Sequence, residues 1–339
     1  MDTSDTFFTL VNGRVELTIN SYGGALRAFR MSDCDVNPLS FSLPPQYEGQ
    51  QGGFQGHFVC LGRWGDPTAG ERTNGLLKHG DSCRLPWTCE MAPGGSDAVM
   101  AVTSDLEGLG LERHVKLCPD STVVQVAETV TNLRPQGRFY QLVQHPTFAA
   151  PFLDRDTLIF CNAGPGFDQA HNVNPEANAL HWPYVYRENE SIARLNRFDE
   201  PCDGVFSFAV EPGASHGWAI VYSKKLRLLI GYVWPRERYP WINIWQAWEK
   251  RKPVYLGVEF GTTGLHKPFA QMVEECQTRV FDERTYAFID GGAQHHYTYD
   301  LFLHRLAKPL ASVEYVTLIN GAVRLGINGQ ELQLNAEMG

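Results

Sequence analysis

Two residues more than a hundred positions apart carry the side chains that acid–base chemistry needs. His145 ends the alternating run YQLVQHPTFAAPF (140–152). The following Pro146 has no N–H to give a ladder and pushes residue 145 into extended backbone, so the strand stops there with its imidazole held outward. In PVYLGVEFG, Val254, Leu256, Val258 and Phe260 share one face of a strand and leave Tyr255, Gly257 and Glu259 on the other. Glu259 then faces away from the core, and Gly257 and Gly261 beside it predict open space above the carboxylate. A histidine has a proton to give near neutral pH and a glutamate is ionised there, so such a pair can donate to one oxygen and accept from its neighbour. Two ordinary readings compete with it: a core histidine bonded to a backbone carbonyl, and a solvated edge carboxylate.

Other residues fall in patterns that suit a small polar ligand. His79, in NGLLKHGDSCRLPW, precedes a glycine that lets the chain turn sharply, with Arg63, Arg72 and Arg84 close in sequence; a structural loop histidine is the alternative. RYPWINIWQAWEK sets Trp241, Asn243 and Trp245 on one strand face. Indole stacks on the C–H face of a pyranose and an amide both donates to and accepts from hydroxyls, although core tryptophans give the same pattern. His79, His145 and Glu259 are types that can ligate a metal. No His-x-His or His-Glu-x-x-His motif accompanies them, so no metal is expected, and proton transfer by a histidine and a glutamate requires no organic cofactor. QHHYTYD (294–300) reads as a strand with an exposed His295–His296 pair.

The elements that must position these groups are strands. Asn12-Gly13 and Asn328-Gly329 sit between alternating runs, the strongest short hairpin signature. LERHVKL sets Leu111, Arg113, Val115 and Leu117 against Glu112, His114 and Lys116, and the runs that follow extend it as an antiparallel meander. Helical spacing is confined to PFAQMVEEC, where Phe269, Met272, Val273 and Cys276 share a face. The 339 residues, 43% hydrophobic, are enough for a large core, and no linker divides them. The prediction is one all-β domain over residues 1–339, a large antiparallel sandwich with few short helices. Two long loops, 45–58 and 161–183, stand out as functional candidates.

Composition narrows the partners. Net charge is −9 and the 29 Lys and Arg are scattered, so the basic stripe of a nucleic-acid binder is missing. The N-terminal stretch is acidic where a signal peptide is basic, and no segment approaches the roughly 18 apolar residues of a membrane span. A soluble, cytoplasmic protein is expected. The eight cysteines form no Cys-x-x-Cys pair and read as reduced.

These pieces occur in the order of a known family. TVVQVAETVTNLRPQGRFYQLVQHPTF resembles the aldose 1-epimerase (galactose mutarotase-like) superfamily, whose long β run ends in an Asn-His-x-Tyr-Phe type motif; Gln144-His145-Pro146-Thr147-Phe148 stands in its place. An early Gly-Ala turn (YGGALRAF, 22–29), a segment running from Asn74 through His79-Gly80 to Trp87, and the late strand LGVEFG recur in sequence. The resemblance implies a curved antiparallel supersandwich with a sugar in a groove on one sheet. It also implies roles: His145 gives a proton to the ring oxygen, Glu259 takes one from the anomeric hydroxyl, and His79 orients the sugar. Ring opening, rotation about C1–C2 and reclosure then deliver the other anomer.

The chain also departs from the family pattern. Arg72 is taken for the family's substrate arginine, with Arg63 as the other choice. Asp203, in EPCDGVFSF, is taken for its substrate aspartate, with Gly204 where the family has histidine. FGTTGLHKPF replaces the usual elements after the glutamate and brings His266 and Lys267 toward the same wall. The expected function is an aldose 1-epimerase-like isomerase acting on a free hexose or related sugar. A hexose-phosphate mutarotase, with Arg63, Arg72 and Lys267 converging on the phosphate, and a carbohydrate-binding protein without turnover are the alternatives.

Overall fold

The alternating runs fold as strands of two antiparallel sheets that share one core. The computed structural model describes residues 6–43, 54–187 and 191–336. The first sheet runs Phe7–Val11, Val15–Asn20, Leu26–Met31, His57–Gly62, Arg138–Ala149, Lys252–Gly261, Trp241–Glu249, Gly204–Val210, Ala163–Asp168, Leu180–His181, with Ala287–Ile289 also paired to Arg138–Ala149. The second runs Leu158–Cys161, His216–Ser223, Leu228–Pro235, Gln294–Arg305, Val123–Asn132, Leu109–Leu117, Asp97–Ser104, Thr88–Met91. Their facing side chains interdigitate: Leu142, Ile242 and Phe260 of the first lie in one cluster with Val126, Ile230 and Leu301 of the second. This is the predicted antiparallel sandwich.

Both Asn-Gly turns form. Asn328 and Gly329 have φ of 52° and 71° and join Ala322–Ile327 to Gln330–Asn335 by two residues, as a type I′ turn demands. Those strands and Val313–Ile319 make a third, three-stranded sheet. It lies on the outer face of the second sheet, where Val316, Val323 and Leu325 pack with Leu229, Val233 and Phe302. Helix is scarce: Ala69–Thr73, closed by a Thr68/Glu71 capping box, and Phe269–Glu274, which buries Met272. No described helix is long and apolar enough to cross a membrane.

Three expectations need correction or fall outside view. The 161–183 segment is not a plain loop: Ala163–Asp168 joins the first sheet beside Gly204–Val210, where Gly166 lies so close to Phe208 that a Cβ would come within 2.0 Å of its ring. His295 is partly buried, its Nδ1 2.9 Å from the Tyr140 hydroxyl, so only His296 is an exposed member of that pair. Of the 45–58 segment, residues 45–53 lie outside the described residues.

One element of the core is ionic. Arg113, on the apolar face of its strand, is fully buried with Glu128, Nε to Oε1 at 2.7 Å. The guanidinium also donates to the Gly24 carbonyl, and the other Glu128 oxygen accepts from Gln144 Nε2 at 2.6 Å and from the Tyr239 hydroxyl at 3.3 Å. Gln144 Oε1 in turn lies 3.1 Å from His57 Nε2. A charge can be buried when most of its hydrogen-bonding capacity is met in this way, although Arg113 Nη2 is left without a partner among the described residues. The network sits directly behind His145, on the opposite face of the same strand.

Candidate active site

Register alone brings the site together. On Arg138–Ala149, His145 pairs with Phe58 of the neighbouring strand. Lys252–Gly261 pairs Gly257 with Thr147 and Phe260 with Gln144, which sets Glu259 opposite His145. On its other side Glu259 pairs with Asn243. Because side chains alternate across a strand, Phe58, His145, Glu259 and Asn243 all point to the same outer face, in a row across four central strands. Edge strands would have left the carboxylate in water; a central strand roofed by loops does not. Glu259 is 1% exposed and His145 5%.

The outcome of that row is a contact: His145 Nε2 lies 3.0 Å from Glu259 Oε1. The tautomer follows from the next bond. Thr147 Oγ1 donates to the His145 carbonyl and is 2.9 Å from His145 Nδ1, so Nδ1 carries the hydrogen and Nε2 faces the carboxyl group. Phe58 stacks on the imidazole, ring centres 4.2 Å apart at 20°. Burial lowers His145 to about 3 and raises the Glu259 carboxyl well above its usual range, with the Trp64 indole a partial counterweight on the latter. Both shifts favour uncharged forms. The pair therefore holds one proton between Oε1 and Nε2 at neutral pH.

Above the pair is a cavity of about 200 Å³. That is small beside drug-sized clefts of roughly 300–1,000 Å³ and has room for one monosaccharide. Its walls are aromatic (Phe41, Phe54, Phe58, Trp64, Trp245), with His79, His266 and Lys78 as the further polar groups. His79 takes a left-handed φ of 65°, with Nδ1 3.4 Å from Cys60 Sγ, and its ring centre lies 5.6 Å from that of His145. Burial pulls His79 well below its ordinary pKa, and His266 to about 4. Burial disfavours a charge on all three histidines; His145 has both ring nitrogens engaged, by Thr147 and Glu259, which leaves His79 and His266 to meet hydroxyl groups. Among the described residues no group of three or more His, Cys, Asp or Glu has a metal-binding arrangement.

The other sequence candidates divide. Trp245 lines the cavity, but Trp241 is sealed by Gly264, where a Cβ would come within 2.0 Å of its ring, and Asn243 is fully buried, its Nδ2 donating to the Thr263 carbonyl and its Oδ1 sealed without a partner among the described residues. The expected Trp-Asn-Trp platform is thus one tryptophan, because a loop covers the rest of that face. Arg72 is outside the cavity: it sits on the exposed side of the Ala69–Thr73 helix, 3.6 Å from Asp66. Arg63 is committed to Glu107 at 2.6 Å and Glu71 at 3.1 Å. Asp203 lies in a neighbouring polar trough of about 610 Å³ with Asp168 and Arg187, joined to the cavity through the shared Val205 and His266. His266 does reach in, held by Gln169 Oε1 on its backbone N–H, whereas Lys267 turns away to Glu275, Gln277 and the Asn172 carbonyl.

Space above Glu259 also has a different origin from the one expected. A Cβ at Gly257 would come within 3.0 Å of Glu259 Oε1, and one at Gly261 within 2.6 Å of Val143. These glycines admit the carboxylate and a neighbouring strand, not a ligand. The residues that sequence reading missed are Phe41, Phe54, Phe58, Trp64 and Lys78. Phe58 alone had a local signal, as a large residue on the outer face of an alternating strand; the others arrive on loops.

No family model matches the chain, and no curated protein matches it. Solved structures do. A galactose mutarotase-related enzyme of Lactobacillus acidophilus superposes with a TM-score of 0.65 at 10% identity, over 90% of this chain and 99% of that one. A galactose mutarotase-like protein of Clostridium acetobutylicum gives 0.64 at 13% identity, over 90% and 96%. The Slr1438 protein of Synechocystis sp. PCC 6803 gives 0.62 at 13% identity, over 89% and 97%.

Proposed function

The chain has the galactose mutarotase-like fold, and on that premise we propose that it is an aldose 1-epimerase-like isomerase acting on a free sugar. The observation that carries this reading is the 3.0 Å contact between His145 Nε2 and Glu259 Oε1 at the floor of a sugar-sized cavity. Opening a cyclic hemiacetal removes a proton from the anomeric hydroxyl and adds one to the ring oxygen. Both oxygens sit on C1, so their acid and base must also be neighbours. The proton held by the pair moves to Nε2, Glu259 takes the anomeric proton as base, and His145 gives its own to the ring oxygen as acid. The C1–C2 bond rotates in the open aldehyde, and reclosure with the two roles exchanged restores the pair. Protons balance over the cycle, and each positioned group contributes typically 10² to 10⁴-fold.

The surroundings suit this role. Phe58 and Trp245 give apolar surface to a pyranose face, and neutral His79 and His266 can exchange hydrogen bonds with its hydroxyls without a charge to desolvate. A phosphorylated sugar fits less well. Phosphate recognition calls for converging cations, and among the described lining residues Lys78 is the one permanent cation, Arg63 and Arg72 being engaged elsewhere.

Polarimetry on freshly dissolved α-anomers of common hexoses tests the proposal. Saturable acceleration of mutarotation, lost in His145→Ala, supports it. Saturable sugar binding without acceleration would instead identify a carbohydrate-binding protein.

A further inference from the structure

A second cavity, of about 350 Å³, lies far from the His145–Glu259 pair, on the outer face of the second sheet where the three-stranded sheet meets it. Its walls are largely apolar, with Val233 and Ala127 on the sheet and Leu318 from the Val313–Ile319 strand. Set into these walls is an acid without a partner. Asp300 is 5% exposed, Oδ2 is sealed without a hydrogen bond, and no ion pair reaches the carboxyl group among the described residues. Burial raises it to about 7. A buried carboxyl left this way costs stability, and nothing in the proposed sugar chemistry uses it.

Register gives this acid a counterpart. Asp300 pairs with Gln125, and Gln125 pairs with Lys116. The three therefore form a row across adjacent strands on one face, all lining the cavity. Asp300 and Lys116 are two strand spacings apart, roughly 10 Å between backbones. That is too far for a short aspartate to meet the lysine directly, and no such ion pair forms. A negative group and a positive group thus flank an amide at the mouth of an apolar hollow.

From this juxtaposition we propose that the cavity is a binding site for a small zwitterion with an apolar body, in chemical terms a free apolar α-amino acid. Its ammonium pairs with Asp300, its carboxylate with Lys116, and its side chain occupies the space between Val233, Ala127 and Leu318. Occupancy bridges the second and third sheets, since Leu318 belongs to the latter and Gln125 already holds the Ala336 carbonyl at 3.1 Å.

Titration calorimetry of the full chain with L-leucine tests this, alongside isopentylamine and 4-methylpentanoate, which each keep one charge. Saturable binding of leucine is expected, with each single-charge analogue and each of Asp300→Asn and Lys116→Met weaker by at least ~10-fold, the loss of one charge-assisted hydrogen bond. Thermal unfolding of both variants checks that they fold, and a leucine-induced rise in Tm in the wild type but not in the variants is the second readout. The proposal is overturned if leucine shows no saturable binding up to ~20 mM, a Kd weaker than which carries under 3 kcal/mol, if the amine alone binds as well as leucine, or if both folded variants bind as the wild type does.

Discussion

Replacing Glu259 with glutamine should move activity and stability in opposite directions. The side chain keeps its shape, and its amide can still donate to His145 Nε2 across the 3.0 Å contact, so packing is preserved. What disappears is the ability to exchange a proton with the anomeric hydroxyl. The proton that His145 would give to the ring oxygen is the one it shares with this carboxyl group, so both transfers suffer and the catalysed rate should fall by about 10² to 10⁴-fold or more. That is about 2.7 to 5.4 kcal/mol of transition-state stabilisation, at 1.36 kcal/mol per tenfold. Stability follows the carboxyl group's pKa. Burial raises it above the unfolded value, so its contribution is fully present below the unfolded carboxyl range, near pH 4.3, and is lost as pH climbs toward the folded value. Glutamine has no proton to lose. The variant should match the wild type near pH 4 and exceed it in Tm at pH 8. Polarimetry gives the first quantity and thermal unfolding at both pH values the second. A variant within about threefold of the wild-type rate, or one less stable than the wild type at pH 8, would refute the assignment of Glu259 as a buried, proton-exchanging group.

Further outcomes follow from the same geometry. The pH profile of kcat/KM should be flat through the ordinary histidine range, because burial lowers His145 to about 3 and His266 to about 4; its acid limb belongs near those values, and an inflection close to 6.5 would contradict a neutral pair. Arg72→Ala should leave both mutarotation and stability unchanged within about 0.5 kcal/mol, since Arg72 is exposed beside Asp66; a large rise in KM would return it to the site. Arg113→Met strands the buried Glu128 and should cost about 3–5 kcal/mol in urea unfolding, with a loss below 1 kcal/mol excluding an ionised pair in the core.

The site was legible where local rules apply. Alternation turned His145 and Glu259 outward on separate strands, and the Asn-Gly turns fixed hairpins at both ends of the chain; the expected strand end at residue 145 does not occur, because the strand runs on through Pro146, paired with His57, to Ala149. The strand pattern likewise announced an antiparallel sandwich. Arg63, Arg72 and Lys267 were misjudged for a different reason. A cation's charge is read from sequence, but its partner is not, and here Glu107, Asp66 and Glu275 claim them first.

Residue types and periods thus determined which side chains leave the core. Strand order did not follow from them, since it depends on pairings between segments distant in the chain, and hydrophobic alternation is indifferent to which neighbour supplies the ladder. Tertiary structure alone set Lys252–Gly261 beside Arg138–Ala149 in the register that joins His145 to Glu259. It alone closed aromatic loops over them. That closure excludes water, and removing water is what turns an ordinary histidine and glutamate into an uncharged pair.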